Sequence, residues 1–457
     1  MTFGVKNIFT ENMDVKRSLV KLGLMLGGFS WVLFSSTPIF RAEVAVANPT
    51  KGYIVVLKDN FEPSAVALEH ANANAFTIDF TYKTALKGYA AKIPQARLAA
   101  LSKDPRVLFI SEDLPVQALG KTKPQPETSS VEAIPQTLPT GVNRTEADIS
   151  STKAGDSLGQ VNVAIAILDT GIDTRHPDLN VRGGKNCVTK TYNDGNGHGT
   201  HVAGIAAAKD NADGVVGVAP GAPLYAVKVL DNNGSGTTSS VLCGIDWVTA
   251  NAASTGIKVA NMSLGGTGSR NYGNCSDSNN DALYKAICNS ITAGVTYVVA
   301  AGNSNIDFAT SFPASYDEVL TVTAFADFNG QPGGGATPTC RATPDDKAAD
   351  FSNFTSINSP DANHTIAAPG VCINSTWKGS TYNTISGTSM AAPHVAGAVA
   401  LCLSSGQCTG LSPQQIMQKL RNDAASQSAN YSYGFQDDPN SPNGTRYYGN
   451  AVYTGGY

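Results

Sequence analysis

From Gln136 onward, continuous apolar runs alternate with segments of helical periodicity. The apolar runs include VNVAIAILD, APLYAVKVL, KVANMSL and VTYVVAAG, and the helical segments include HGTHVAGIAAA and ALYKAICNSITAG. Apolar strands that alternate with helices predict an α/β domain with a parallel sheet covered by helices on both faces. Ligands of such sheets bind beyond the carboxyl ends of the strands, where Asp169, Ser263 and Asn303 follow three of these runs.

The segment before this domain predicts a smaller, separate fold. Residues 48–119 alternate strand patterns with helix patterns that begin near Pro63 and Pro94, in the βαββαβ order of a small α+β domain. Residues 120–135 are rich in Pro, Thr, Ser, Lys and Glu and lack apolar periodicity, which is typical of an exposed, cleavable linker. We therefore expect a small domain over 48–119, a linker over 120–135 and a large domain over 136–457.

The N-terminus predicts export from the cytoplasm. A basic pair, Lys16-Arg17, precedes an apolar stretch over residues 19–34, and the small residues Ala45-Val46-Ala47 follow. This order is typical of a secretory signal peptide, so we expect residues 1–47 to be removed and the product to be secreted or periplasmic, without membrane contact. A retained membrane anchor is the alternative, although the run is short for a bilayer span. Met13 is a second candidate for the start of the chain.

The chain contains eight cysteines. An even number fits an oxidising compartment and up to four disulfides, but the spacing does not determine which cysteines pair. We favour two local loops, one pair across an insertion and one remaining pair: Cys275 with Cys288, Cys402 with Cys408, Cys340 with Cys372, and Cys187 with Cys243. A zinc site is the alternative, but no CxxC pair is present. The net charge of -4 is small and no long Lys/Arg run occurs, so nucleic acid is not an expected partner.

Three short segments place a reactive side chain between small residues: ILDTGID around Asp169, DGNGHGTHVAG around His198 and SGTSMAAPHVAG around Ser389. A serine hydroxyl is a poor nucleophile unless an imidazole takes its proton and a carboxylate orients that imidazole. Together the three side chains predict nucleophilic catalysis. The alternatives are separate capping and packing roles, or metal hydrolysis through His198 and His201, which would lack the glutamate of an HExxH motif. His201 and His394 fit helix packing.

These motifs, in this order, resemble the active-site signatures of the subtilisin-like serine peptidases, and the similarity runs from Gln136 to near the C-terminus. The order aspartate, histidine, serine belongs to that family. The resemblance implies that Asp169 orients the imidazole, His198 acts as general base and then acid, and Ser389 attacks the scissile carbonyl. It also implies that Asn303 donates a hydrogen bond to the developing oxyanion. The implied activity is that of a serine endopeptidase acting on proteins or peptides.

The same resemblance implies a substrate-binding cleft. Substrate would lie as an added strand between Ser263-Leu264-Gly265 and Gly234-Ser235-Gly236. Three small residues match positions that line the primary side-chain pocket, namely Ala301, Gly302 and Ala314. Because no acidic residue stands at the base of this pocket, we expect broad specificity for large uncharged side chains.

A structural calcium ion is the cofactor that the resemblance implies. The matching ligands are three side chains and three backbone carbonyls: Gln136, Asp178 and Asn211, and the carbonyls of Lys209, Asp213 and Val215. Carboxylate, amide and carbonyl oxygens are the ligands that Ca²⁺ prefers. A turn held by Asp178 alone is the alternative.

Residues 51–119 resemble the inhibitory propeptides of these peptidases, in GYIVVLKD, GYAAKIP and VLFISED. In the family such a domain templates folding and leaves its C-terminal tail in the active site, so we expect the chain's own propeptide to be an intramolecular inhibitor. Self-cleavage would fall between Ala118 and Gln136, but the long linker leaves the bond open. A domain retained after secretion is the alternative for this segment.

Two other classes of protein compete with a monomeric, self-processing enzyme. A catalytically silent subtilisin-like binding protein would keep the fold but would usually lose a residue of the triad or the oxyanion donor, and none is missing. A dedicated inhibitor or chaperone could be built from residues 51–119 alone and would not need the large domain.

Overall fold

The computed structural model describes residues 50–120, 135–268, 275 and 280–457. The predicted signal peptide (1–47) and nearly all of the predicted linker (120–135) lie outside these residues. In the part of the chain that the structure describes, no helix is both long and apolar enough to cross a bilayer.

The small N-terminal domain has the predicted βαββαβ order. Its elements, with one further strand at the end, are β1 (Thr50–Leu57), α1 (Pro63–Asn74), β2 (Ile78–Tyr82), β3 (Gly88–Pro94), α2 (Gln95–Leu101), β4 (Val107–Glu112) and β5 (Pro115–Ala118). The first four strands form an antiparallel sheet in the order β2-β3-β1-β4. The sequence did not predict β5, because four residues that begin with proline give no usable alternation.

The large domain alternates strands and helices, as predicted. Its elements are α3 (Thr140–Arg144), β6 (Ala164–Asp169), β7 (Val181–Asn186), α4 (His198–Ala207), β8 (Leu224–Lys228), β9 (Ser235–Thr237), α5 (Thr238–Thr255), β10 (Ile257–Met262), β11 (Leu264–Thr267), α6 (Ala282–Thr292), β12 (Thr296–Ala300), β13 (Ser311–Phe312), β14 (Leu320–Ala326), β15 (Lys347–Ala348), β16 (Thr355–Ser356), β17 (Thr365–Pro369), β18 (Ile373–Trp377), β19 (Thr381–Ile385), α7 (Thr388–Ser404), α8 (Pro413–Tyr431) and β20 (Arg446–Tyr447).

The central sheet of this domain has eight strands in the order β15-β14-β12-β10-β6-β8-β7, with β17 also paired to β14. All pairs in it are parallel except that of the short strand β15. The α/β class and the parallel sheet are therefore confirmed.

Side-chain alternation along β6 explains why both faces of the sheet are covered. Ile165 and Ile167 are buried with residues of α4, α7 and α8. Ala164, Ala166 and Leu168 point to the opposite face and are buried with residues of α5 and α6. Each face thus has its own apolar core, as expected for a parallel sheet.

The same alternation joins the small domain to the large one. Val55 and Leu57 of β1 are buried in the small domain's own core with α1 and α2. Ile54 and Val56, which point to the other face of β1, are buried with residues of α5 and α6. The small domain therefore packs its sheet on the two helices that also cover the large sheet.

The structure contains four disulfides, with the pairing that we favoured: Cys187 to Cys243, Cys275 to Cys288, Cys340 to Cys372, and Cys402 to Cys408. All eight cysteines lie in the described residues and none is free. The alternative of a cysteine-based zinc site is therefore wrong.

The residues with predicted chemistry meet at the carboxyl ends of the central strands. Asp169 ends β6, Asn303 follows β12, and Ser263 lies between β10 and β11. His198 begins α4, and Ser389 is the second residue of α7. A Cβ at Gly197, just before α4, would overlap the Trp377 ring, so this helix can only begin against β18 with a glycine there.

Candidate active site

Asp169 and His198 form a buried hydrogen-bonded pair. The distance from His198 Nδ1 to Asp169 Oδ1 is 2.8 Å, and both side chains are almost fully buried. The same carboxylate oxygen accepts a hydrogen bond from the backbone N–H of Thr170 at 2.7 Å. Burial on its own would lower the pKa of His198, but the adjacent Asp169 carboxylate outweighs it and raises that pKa above its usual value.

The other imidazole nitrogen of His198 faces the end of the small domain. Among the described residues, Nε2 has no hydrogen-bond partner. A Cβ built on Gly120 would lie 3.0 Å from His198 Nε2 and 2.8 Å from Cδ2, so the backbone of Gly120 is in close contact with the ring. The free nitrogen is therefore positioned next to the peptide bond that joins Leu119 to Gly120.

Ser389 lies beside the same peptide bond. Its hydroxyl donates to the carbonyl oxygen of Ser263 at 3.0 Å, and the backbone N–H of Leu119 donates to that oxygen at 3.2 Å. A catalytic hydroxyl is often turned away from its imidazole before reaction, so this rotamer does not exclude a role as nucleophile. The first turn of α7, which contains Ser389, also presents backbone N–H groups that have no partner within the helix.

The carbonyl oxygen of Leu119 occupies the position expected for an oxyanion. It accepts a hydrogen bond from Asn303 Nδ2. The other end of the amide is held by Thr388, whose backbone N–H and hydroxyl both donate to Asn303 Oδ1 at 2.9 Å. This pair of bonds fixes which end of the Asn303 amide faces Leu119. Sequence reasoning missed Thr388, although it stands next to Ser389 in the GTSM motif.

The two predicted substrate edges are strands, and β5 lies between them. On one side β5 pairs antiparallel with β9, and the N–H of Ala118 donates to the carbonyl of Gly234 at 2.9 Å. On the other side it pairs antiparallel with β11, with Leu264 opposite Ala118 and Gly265 opposite Gln117. The structure thus brings together all six residues that the sequence placed at these edges, with the tail of the small domain as the strand between them.

A cavity of about 370 Å³ lies beside Leu119. Its lining includes the three predicted pocket residues, Ala301, Gly302 and Ala314, and none of the residues that line it is charged. Leu119 Cδ1 lies 3.2 Å from the position that a Cβ on Gly265 would take, so its side chain lies against the β11 edge of this cavity.

The residues predicted to hold calcium also lie together, in what we call the Asp178 site: Gln136, Asp178 and residues 209–215. Asp178 accepts hydrogen bonds from the Asn211 side chain at 3.2 Å and from the Val215 N–H at 3.1 Å. Gln136 Nε2 donates to the carbonyl of Lys209 at 3.0 Å. The N–H of Asp213 donates to Asn211 Oδ1 at 2.8 Å, which completes the set.

The carboxylate of the Asp178 site has only neutral hydrogen-bond partners. Asp178 is 2% exposed, and burial raises its pKa to about 6. Tyr382 contributes a third, long contact of 3.4 Å and was not predicted, because β19 is far away in sequence. The positive charge of Lys209 lowers the pKa of Asp178 only in part, so burial still disfavours the ionised carboxylate and favours binding of a positive ion.

The two other histidines of the motifs have packing roles, as predicted. His201 bonds through Nε2 to the carbonyls of Ile373 and Asn383, and burial lowers its pKa to about 3. His394 bonds through Nδ1 to the carbonyl of Met390, and burial lowers its pKa to about 4. Both imidazoles are thus held by backbone carbonyls, which disfavours the metal-hydrolysis alternative.

Comparison with known proteins agrees with this geometry. Residues 160–436 match the Subtilase family, and residues 52–119 match the family described as Peptidase inhibitor I9. Subtilisin DY of Bacillus licheniformis is 40% identical over 304 residues, which cover 65% of this chain and 96% of that protein. The alkaline protease of Alkalihalobacillus alcalophilus is 39% identical over 337 residues, 73% of each chain. Subtilisin E of Bacillus subtilis (strain 168) is 36% identical over 352 residues, 76% of this chain and 77% of that protein. The chain therefore belongs to the subtilase family and is a serine endopeptidase that carries an I9 propeptide domain.

Proposed function

We propose that this protein hydrolyses peptide bonds through an acyl-enzyme on Ser389, and that its first substrate is its own Leu119–Gly120 bond. The observation that carries the proposal is the position of that bond. The carbonyl oxygen of Leu119 accepts a hydrogen bond from Asn303, and Gly120 lies against the His198 ring. The Leu119 N–H and the Ser389 hydroxyl donate to the same acceptor, the carbonyl oxygen of Ser263. We expected cleavage between Ala118 and Gln136, and these contacts support one bond within that range.

In the proposed reaction, the two imidazole nitrogens of His198 have different roles. Ser389 Oγ attacks the carbonyl carbon of Leu119 while His198 Nε2 takes the hydroxyl proton. Asp169 keeps the proton on Nδ1 and stabilises the imidazolium that forms. The C–N bond to Gly120 then breaks as His198 returns the proton to the leaving nitrogen. This leaves an ester between Leu119 and Ser389, which water hydrolyses with His198 again as the base.

Stabilisation of the intermediate would come from fixed donors. Asn303 Nδ2 already donates to the oxygen that becomes negative, and Thr388 holds the amide in that orientation. Such preorganised donors contribute about 2.7–4 kcal/mol to transition-state stabilisation, as measured in subtilisin itself. The backbone N–H of Ser389, in the first turn of α7, is the candidate second donor.

After cleavage, the released propeptide would remain as an inhibitor. Strand β5 pairs with β9 and β11 on its two sides, so it occupies the cleft that another substrate would need. The packing of Ile54 and Val56 against α5 and α6 supports retention, because it does not depend on the bond that is cut. Leu119 beside an uncharged cavity supports a preference for large uncharged side chains before the cleaved bond.

We also propose that the Asp178 site holds a structural Ca²⁺. The donor set fits, because a buried carboxylate, two side-chain amides and backbone carbonyls are oxygen ligands of the kind that Ca²⁺ takes. The ligands would be Asp178, Gln136 and Asn211 through side chains, and Lys209, Asp213 and Val215 through carbonyls. The raised pKa of Asp178 supports this assignment, because a bound cation would compensate the buried charge.

Secretion or release into a periplasm is proposed on two grounds. The N-terminal sequence has the order of a signal peptide. Four disulfides suit an oxidising compartment and a protein that must survive outside the cytoplasm.

A Ser389→Ala substitution tests the catalytic proposal. We expect the variant to accumulate as an uncleaved precursor, to lose at least about a millionfold in kcat, and to resist labelling by a serine-reactive fluorophosphonate. The wild-type protein should label and should yield a product whose N-terminal residue is Gly120. Efficient maturation of the purified variant would contradict self-processing. A wild-type protein that does not label would instead support the silent binding protein.

A further inference from the structure

The turn that carries Asn303 is held by a buried asparagine from elsewhere in the chain. Asn353 is 2% exposed and lies between β15 and β16. Its Nδ2 donates to the carbonyl of Ala301 at 2.9 Å, and its Oδ1 accepts from the N–H of Ser304 at 2.9 Å and of Ile306 at 3.2 Å. One amide therefore satisfies three backbone groups on both sides of Asn303.

The backbone around this contact leaves little freedom. The N–H of Asn353 donates to the carbonyl of Gly302 at 2.9 Å, and a Cβ on Gly302 would overlap Asn353 Nδ2. Gly302 has a φ of +108°, which side chains other than glycine rarely adopt. The turn that presents Asn303 thus takes this shape only with glycine at 302 and with the Asn353 amide filling the space beside it.

We propose that Asn353 is a positioning residue for the oxyanion donor. It touches neither the scissile carbonyl nor the imidazole, but it determines where the Ala301–Ile306 turn places Asn303 Nδ2. Small displacements of a catalytic donor have large effects, since a shift of about 1 Å costs on the order of a hundredfold in rate. The proposal rests on the oxyanion role proposed for Asn303.

A double-mutant cycle tests this role. We expect Asn353→Ala to lower kcat on a peptide substrate by about ten- to a hundredfold, with KM within about threefold of the wild type. In an Asn303→Ala background, the same change should cost less than about threefold, because the donor that it positions is already gone. Active-site titration with a fluorophosphonate corrects every rate for the fraction of folded enzyme. Asn251→Ala, which removes an amide–carbonyl bond on α5, is the matched control.

The outcomes separate this inference from the proposal on which it rests. If Asn303→Ala has little effect, the oxyanion assignment fails. If Asn303→Ala is costly but the Asn353→Ala effect is absent or fully additive, the positioning role fails and Asn353 merely supports the fold. Should Asn353→Ala not mature, Asn353→Asp retains the acceptor for Ser304 and Ile306 and goes through the same cycle. Failure of both variants to mature would also assign the side chain to folding and overturn the proposal.

A different observation concerns the order of maturation. In one uncleaved chain, Leu119 occupies the cleft while Gln136 is already docked at the Asp178 site. The N–H groups of Gln136 and Thr137 donate to the carbonyls of Ala212 and Gly214, each at 2.9 Å. The sixteen residue steps from Gly120 to Gln136 can span up to about 50 Å, so neither end has to leave for the other to bind.

We infer that the Asp178 site is complete in the precursor and does not wait for cleavage. This inference rests on the proposed calcium site. A precursor with a complete site would gain the ion's stabilisation while its propeptide is still attached, so calcium would support folding rather than only the finished enzyme.

Calcium titration of the Ser389→Ala precursor tests this order. Competition with a chromophoric chelator should give a Kd within about threefold of that of the processed wild-type enzyme, held inactive by a covalent serine inhibitor. Gln136→Ala in the precursor should weaken binding about tenfold, and Asp178→Asn should abolish it. Binding by the processed enzyme alone would overturn the inference and leave the site intact. Absence of binding in both forms would refute the calcium site itself.

Discussion

Two segments that precede the catalytic domain pair with it through backbone hydrogen bonds, but the groups that surround them differ. Strand β5 with Leu119 lies in the cleft, and Pro135 to Thr137 lie along residues 212–215. Both use backbone hydrogen bonds to strand-like edges. In the cleft, the Leu119 carbonyl and N–H both have protein partners. At the second place, the buried Asp178 carboxylate accepts hydrogen bonds only from neutral groups, and burial raises its pKa.

This difference predicts which changes should affect each region. In the cleft, protein groups already bond the Leu119 carbonyl and N–H. Catalysis there should therefore be sensitive to substitution of single side chains and to sub-ångström shifts of those groups. At the Asp178 site, the positive charge of Lys209 only partly offsets the burial of the carboxylate, so its contribution should respond to an ion and to pH. In the proposed reaction the Leu119–Gly120 bond that follows the first segment is cut, whereas the second segment stays with the enzyme.

Of the changes that separate the two regions, Asn303→Ala should have the largest effect, because it removes the donor to the Leu119 oxygen. We expect kcat and the rate of self-cleavage to fall by about a hundred- to a thousandfold. Affinity for the added propeptide should change by less than about tenfold, because the pairing of β5 with β9 and β11 remains. Steady-state kinetics and propeptide inhibition constants measure the two quantities, with Asn251→Ala as control. An equal loss in both would mean that Asn303 binds ground state and transition state alike.

A smaller effect is expected for Gly120→Ala. The new methyl would lie 2.8 Å from His198 Cδ2, so either the imidazole or the scissile bond must move. We expect self-cleavage of the refolded precursor to slow by at least about tenfold. Once processed in trans, the same variant should cleave an added peptide at the wild-type rate, since residue 120 has then left the cleft. Undiminished self-cleavage would show that the contact with His198 is not close in the reacting state.

The same contrast explains what the sequence could predict. Asp169, His198, Ser389 and Asn303 stand in motifs in which each reactive side chain follows a strand or begins a helix, so local pattern and resemblance were sufficient to predict that they lie together. The sequence did not identify which bond is proposed to be cleaved, because its position depends on the register of β5 between β9 and β11. That register is a long-range property of three short strands. Asn353 and Tyr382 were missed for a similar reason, since each reaches its site from a distant loop or strand.

The smallest effect is the pH dependence of the stabilisation by calcium, and it tests the Asp178 site directly. Burial raises the pKa of Asp178 from 3.8 to about 6, so the folded, metal-free protein binds a proton more tightly there than the unfolded chain. Its stability should therefore fall as pH rises from about 4 to above 6, where the buried carboxyl ionises. Calcium binds the ionised form, so its stabilisation should be full above pH 6. Below that pH it should shrink by up to about 1.4 kcal/mol per pH unit.

Thermal unfolding of the Ser389→Ala precursor, with calcium and with chelator from pH 5 to 8, measures this window without self-digestion. Asp178→Asn in the same precursor is the control, because its amide cannot ionise. Calcium should not change the unfolding temperature of this variant at any pH. Without metal, its stability should lack the decrease with rising pH that we assign to Asp178. A calcium shift of constant size from pH 5 to 8 would contradict the raised pKa as its origin. The calcium stabilisation at the Asp178 site would then arise from groups other than this buried carboxylate.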